Sequence, residues 1–158
     1  MAANGLMYTV SFSNVSITNT AQNIWELIAA AATSFIIHSV RLTITPTITS
    51  GVAQDVRALL NIQNITTTGS GGSAKTPTPT NIRNTVAAVT TCNALVTTPG
   101  TAGVVRDSEN VSIIVPFERI YTPDQRIPIG GGGRWALNLS AGLGGAFNAS
   151  SEIYLEEI

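Results

Sequence analysis

The chain has 158 residues, of which 44% are apolar and only 11% are charged, and its formal net charge is −1. This length and apolar content suit a single folded domain and exclude an intrinsically disordered chain. The eight basic residues are scattered singly along the sequence. The chain therefore lacks the basic cluster or global field that attracts nucleic acid or an anionic membrane, and we expect neither partner.

The ends and the cysteine content indicate where the protein is made. Residues 1–7 have neither the basic region nor the apolar region of a secretory signal. The longest apolar run, residues 27–32, is too short to span a bilayer. Because Cys92 is the only cysteine, an intrachain disulfide is impossible. These features predict synthesis in a reducing host cytoplasm.

Taken in chain order, several short segments alternate apolar and polar residues, which is typical of β-strands with one buried face. The predicted buried faces are Tyr8, Val10 and Phe12; Ile36, His38, Val40, Leu42 and Ile44; Val56, Ala58, Leu60 and Ile62; Val111, Ile113 and Val115; Trp135, Leu137 and Leu139; and Ile153 and Leu155. This pattern predicts an all-β fold over residues 1–158, an antiparallel β-sandwich with one buried face per sheet.

Residues 22–33 fit two structures. Their four consecutive alanines favour a short helix, whereas Ile24, Trp25 and Ile28 fit a strand that runs into an irregular turn. We predict a strand from Ile24 to Ile28 and leave the alanines open.

Residues 66–84 form the longest predicted loop of the domain. The Gly/Ser half of this segment predicts flexibility, and its Thr-Pro half predicts an extended chain. A loop this long inside a compact domain often has a function. Lys75 and Arg83 are charged and no acidic residue accompanies them, so the loop suits an acidic patch on a partner. A second loop, residues 122–133, ends in four glycines but lacks the Gly-Lys-Ser/Thr ending of a phosphate-binding loop.

Residues that carry catalytic or metal chemistry are few. His38 is the only histidine, so sites that need two histidines are excluded, and a packed histidine is the favoured interpretation. Cys92 fits a small buried residue better than a nucleophile. Glu152, Glu156 and Glu157 fit the solvated face of the last strand. We therefore expect no catalytic site, no metal site and no cofactor, and we do not expect an enzyme.

Three stretches carry a resemblance to a known family. They are MYTVSFS at residues 7–13, TGSGGSAKTPTP at residues 68–79 and SEIYLEEI at residues 151–158, with RIPIG at residues 126–130 between the last two. In this order they resemble the small capsid decoration (cement) proteins of tailed bacteriophages. The resemblance implies a jelly-roll sandwich on the outside of the head, often a trimer, that clamps neighbouring major capsid subunits. The four glycines at residues 130–133 depart from the single proline-and-glycine turn expected there.

Together these observations predict a structural protein of the virion exterior whose partner is the major capsid protein. We expect a homo-oligomer, a trimer before a dimer. The predicted contacts are an N-terminal arm, residues 1–7, and the loop at residues 66–84. Within that loop the candidate contact residues are Gly69, Gly71, Gly72, Lys75, Pro77, Pro79 and Arg83. The alternative is a phage tail, fibre or receptor-binding module with the same fold, and an enzyme is a distant third.

Overall fold

The computed structural model of this chain describes residues 5–17, 20–46, 57–112, 115–140, 143 and 147–158. This part of the chain forms twelve strands and no helix. The strands are β1 (Leu6–Ile17), β2 (Gln22–Ile28), β3 (Phe35–Pro46), β4 (Arg57–Ile65), β5 (Ser73–Lys75), β6 (Thr78–Pro79), β7 (Thr91–Val96), β8 (Ala102–Ser112), β9 (Phe117–Ile120), β10 (Ile127–Ile129), β11 (Arg134–Leu139) and β12 (Phe147–Glu157).

The strands form two six-stranded sheets that pack face to face. The first sheet has the order β10-β3-β12-β1-β6, and β9 also pairs with β3. The second sheet has the order β5-β7-β2-β11-β4-β8. Every pairing between these strands is antiparallel. The predicted antiparallel β-sandwich is confirmed, and the jelly-roll arrangement stays a prediction.

The core lies between the two sheets, and most of the residues that the alternation predicts to be buried lie in it. The predicted buried residues that are confirmed are Tyr8, Val10, Phe12, Val40, Leu42, Ile44, Ala58, Leu60, Ile62, Val111, Trp135, Leu137, Leu139, Ile153 and Leu155. Val115 is instead exposed, and Val56 and Ile113 lie outside the described residues. The strand predicted at residues 24–28 is confirmed as part of β2, and the alanines form the turn that follows it.

Strand β3 breaks the strict alternation at His38. Here β3 has one residue more than β12, which makes a β-bulge, and the β3 residues before it alternate in the opposite sense to those after it. As a result, Ile37 and Val40 are both buried, while Ile36 and His38 are only half-buried. The prediction that placed Ile36 and His38 on the buried face is therefore wrong. The His38 ring lies outside the core, where its Nε2 is 2.8 Å from Glu156 Oε2.

The β1 strand begins at Leu6, so Leu6 and Met7 are strand residues and not part of the predicted arm. Residues 1–4 of that arm lie outside the described residues. Met7 pairs with Glu156 of β12, and its carbonyl accepts a hydrogen bond from the Thr80 amide at 3.0 Å. The start of β1 is therefore tied to the same side of the sandwich as the long segment around residue 80.

Candidate partner-contact surface

The segment at residues 66–84 is bound to both sheets, contrary to the prediction of a single long loop. Strand β5 extends the second sheet by pairing with β7, and β6 extends the first sheet by pairing with β1. Pro79 is tolerated in β6 because this two-residue strand lies at the sheet edge. The predicted extended conformation of the Thr-Pro half agrees with this pairing. The segment bridges the two sheets along one side of the sandwich.

A buried carboxylate fixes the start of this segment. Glu26 lies between the core residues Trp25 and Leu27 in β2, so its side chain points to the opposite face of the sheet. It is fully buried there and accepts hydrogen bonds from the Gly69 amide at 2.8 Å and the Gly100 amide at 3.0 Å.

The Asn23 side chain donates a third bond to Glu26, at 2.6 Å. Nearby, Ser70 and Thr98 exchange two backbone hydrogen bonds of 2.9 and 3.0 Å. The carboxylate and this pair of bonds thus hold the two chain segments over the outer face of the second sheet.

The structure separates the candidate contact residues into three groups. Gly69 belongs to the anchor, because a Cβ there would collide with the Thr98 carbonyl and Glu26, and Pro77 is buried. Gly71 has a φ of 77° and Gly72 follows it, so these two glycines make the turn into β5. The remaining candidates present side chains to solvent to different degrees: Lys75 and Pro79 are half-buried, and Arg83 is exposed.

A second buried carboxylate, that of Glu157, holds the chain shortly after this segment, at residues 89–90. Glu157 of β12 accepts hydrogen bonds from the Thr90 amide at 2.6 Å and the Val89 amide at 3.0 Å. The Tyr8 hydroxyl donates to the Val86 carbonyl at 3.2 Å. The prediction that Glu157 solvates the outer face of the last strand is therefore wrong, since its carboxylate is buried against the backbone of residues 89–90.

Between these anchors, a short turn displays an apolar side chain to solvent. The Asn84 amide donates to the Asn81 carbonyl at 2.9 Å, and the Arg83 amide donates to the Asn81 side chain at 3.0 Å. Ile82 lies within this turn and is 97% exposed. We call Ile82, Arg83, Val86 and Val89 the braced ridge, because all four are exposed on a backbone held at both ends. The three apolar members of this ridge were not predicted from the sequence, although the Asn-Ile-Arg-Asn spacing is a turn signal.

Strand β8 forms the exposed edge of the second sheet. It has 11 residues and pairs with β4 on one side, and none of the described strands pairs with its other side. Val104 and Val105 are exposed on it. A long edge strand with exposed apolar side chains is a template for pairing with another chain. This edge is therefore a second candidate contact.

Arginines that are far apart in the sequence meet beside this edge. Arg106 of β8, Arg119 of β9 and Arg126 before β10 line one pocket of about 480 Å³. Arg119 donates to Asp107 at 2.6 Å. Basic residues that are scattered singly in the sequence thus lie together at this place, because strand pairing joins residues that the sequence separates.

The thiol of Cys92 has a structural role and not a reactive one. Cys92 is buried in β7, which confirms its interpretation as a small core residue. Burial, aided by the negative charge of Glu157, raises the pKa of the Cys92 thiol to about 12. The thiol is therefore protonated at neutral pH and is a poor nucleophile.

Comparisons with protein-family models, with curated proteins and with solved structures found no match for this chain. Within the described ranges, no three or more histidine, cysteine or acidic side chains group in a way that suits a metal ion. The same residues contain no helix with the length and apolar content that crossing a membrane requires. The candidate site is therefore defined by its own geometry, as a contact surface.

Proposed function

We propose that this chain is a structural virion protein that binds the outside of a phage head and stabilises contacts between major capsid subunits. The choice of partner rests on the sequence resemblance. Binding to a protein surface is supported by one observation above all, the 97% exposure of Ile82 on a turn that is braced at both ends. The role requires neither a cofactor nor a catalytic residue.

The braced ridge suits a protein partner for energetic reasons. An exposed apolar residue gains free energy when a partner covers it, and a single large apolar anchor can dominate an interface. Because the Thr80–Met7 hydrogen bond and the Glu157 carboxylate already hold the backbone on either side, docking costs less conformational entropy than ordering a free loop would. Arg83 beside Ile82 adds a charge that suits an acidic rim on the partner.

We extend the proposal to a homo-oligomer, with the trimer favoured by the resemblance and the β8 edge as the interface. Sedimentation of the purified protein should show the oligomer, and Val104→Lys should weaken its association at least about tenfold, because a buried lysine opposes edge pairing. Val86→Lys is the matched control, since Val86 is 53% exposed, Val104 is 64% exposed, and the Val86 backbone is bound to Tyr8 of the other sheet. A monomeric wild type, or equal effects of the two substitutions, would contradict this interface.

The head-binding proposal is tested by removing the apolar anchor. Ile82→Asp should leave the unfolding transition unchanged, because the side chain has almost no contacts to lose. It should also lower the affinity for heads that lack this protein by at least about tenfold. Occupancy is measured by co-sedimentation of the protein with such heads over a range of protein concentrations.

The control is Ile120→Asp, which changes an isoleucine that is 68% exposed and lies on β9, outside the braced ridge. It should bind heads as the wild type does. Equal binding by Ile82→Asp and wild type would show that the ridge is not the contact. If heads without the protein resist heat and low salt as well as decorated heads do, the stabilising role is wrong.

A further inference from the structure

The arginine-lined pocket beside β8 has an excess of positive charge. Arg106, Arg119 and Arg126 contribute three positive charges to its wall, and Asp107 contributes one negative charge. Of the three arginines, only Arg119 has an ion-pair partner among the described residues, which is Asp107 at 2.6 Å. The wall therefore carries a formal charge of +2, held chiefly by Arg106 and Arg126.

Two residues that line the pocket also carry buried hydrogen-bond donors without a partner among the described residues. Tyr121 is 6% exposed and its hydroxyl has no hydrogen-bond partner within the described residues. The Nε of Arg126 is buried and likewise has no partner within them. Burial, with Arg119 opposing and Asp107 adding to it, raises the pKa of Tyr121 to about 12, so the hydroxyl keeps its proton. Buried donors of this kind are costly unless an acceptor meets them.

We propose that this pocket binds a small organic acid, whose carboxylate accepts hydrogen bonds from Arg126, Arg106 and the Tyr121 hydroxyl. Guanidinium groups bind carboxylates through paired, charge-assisted hydrogen bonds. Ile127 and Pro128 also line the pocket and give the carbon skeleton of the acid an apolar wall. The volume of about 480 Å³ lies in the range of small-ligand sites and exceeds what a lone inorganic anion fills.

None of the pocket residues belongs to the braced ridge, so acid binding and head binding are tested separately. Arg106 and Asp107 do lie on β8, the proposed oligomer interface, and sedimentation of Arg106→Gln therefore accompanies its titration. Two sources of carboxylate fit the chemistry, a free acid such as a sugar acid and the acidic side chain of a partner protein. We favour the free acid, since the pocket is larger than a single acidic side chain requires.

The test is a titration of the purified protein, followed by nuclear magnetic resonance at low ionic strength. Glucuronate is the probe, and glucose is the matched neutral compound. We expect glucuronate to shift the resonances of the pocket residues in a saturable way and glucose to leave them unchanged. Two further compounds are titrated separately: inorganic phosphate, and N-acetylglutamate amide, which represents the acidic side chain of a partner protein. Tighter binding of glucuronate than of both supports the free acid, and tighter binding of N-acetylglutamate amide overturns that choice in favour of a partner side chain.

Variants assign the binding to named residues. Arg106→Gln and Arg126→Gln should each weaken glucuronate binding by about tenfold or more, because each removes a charge-assisted donor. Arg106 is exposed, so its variant keeps the fold even if the half-buried Arg126 proves structurally necessary. Arg57→Gln, which changes an exposed arginine of β4 outside the pocket, should bind as the wild type does. Absence of binding by any of the carboxylates, tighter binding of phosphate than of glucuronate, or equal weakening by Arg57→Gln would overturn the proposal.

Discussion

Replacing Trp25 by alanine is expected to lower the free energy of unfolding by about 3–5 kcal/mol, the usual cost of removing a large aromatic side chain from a packed core. Trp25 is fully buried, and its ring centroid lies 5.2 Å from that of Phe12 on the opposite sheet. Its Nε1 donates to Ser151 Oγ at 2.8 Å, and that hydroxyl donates to the Arg41 carbonyl at 2.6 Å. One side chain thus joins the second sheet to two strands of the first. Urea unfolding followed by fluorescence measures the loss.

The chain offers a matched control for the hydrogen bond in this contact. Trp135 is also fully buried, but its Nε1 has no hydrogen-bond partner within the described residues. Trp25→Phe and Trp135→Phe remove similar volumes, yet only the first removes a hydrogen bond. We expect Trp25→Phe to cost about 1 kcal/mol more. Equal costs would show that the bond to Ser151 contributes nothing to stability.

Replacing Glu26 by glutamine is expected to lower the free energy of unfolding by about 3 kcal/mol, because a charged acceptor for buried donors is lost. The three groups that face the carboxylate are all donors: the amides of Gly69 and Gly100 and the side chain of Asn23. A glutamine side chain keeps one acceptor oxygen, but its NH2 group is itself a donor and would face the donors that now bind the second carboxylate oxygen. Glu109→Gln on the exposed β8 strand is the control and should change stability by less than about 0.5 kcal/mol.

Hydrogen exchange separates a local effect of Glu26→Gln from a general one. The amides of Gly69 and Gly100 should lose protection first, while core amides of β12 lose protection only in proportion to the global loss of stability. Unchanged protection at Gly69 and Gly100 would contradict the anchoring role of Glu26.

The sequence by itself predicted the β-sandwich, because one buried face per strand forces alternation with a period of two. In β1, β4 and β12 this alternation runs without interruption over the predicted residues, and their buried side chains were identified correctly. In β11 the predicted residues are buried as well, but so are Ala136 and Asn138 between them. The same reasoning identified Cys92 as a buried small residue. It also resolved β2 as a strand, since Ile24, Trp25 and Ile28 outweigh the helix preference of the alanines that follow.

The contact role of residues 66–84 stays a prediction, and the conformation of this segment differs from the predicted single loop. It contains β5 and β6, and of its charged candidates Lys75 is half-buried and Arg83 is exposed. Gly69 and Pro77, however, serve the anchoring of the segment, and the exposed apolar residues beside Arg83 were overlooked. Exposure of an isoleucine in a turn depends on what packs around it, and local sequence does not contain that information.

Other features were decided by the tertiary structure alone, for the same reason: they depend on which distant residues a fold brings together. The bulge at His38 follows from the pairing of β3 with β12 and reverses the face of every residue before it. Glu26 looks like an exposed strand residue until the chain around Gly69 and Gly100 folds over it and supplies buried amide donors. The cluster of arginines forms only because β8, β9 and the turn before β10 meet at one edge. Alternation depends only on neighbouring residues and can be predicted from the sequence. Charge pairing and the burial of polar groups depend on how the sheets assemble, so only the tertiary structure decides them.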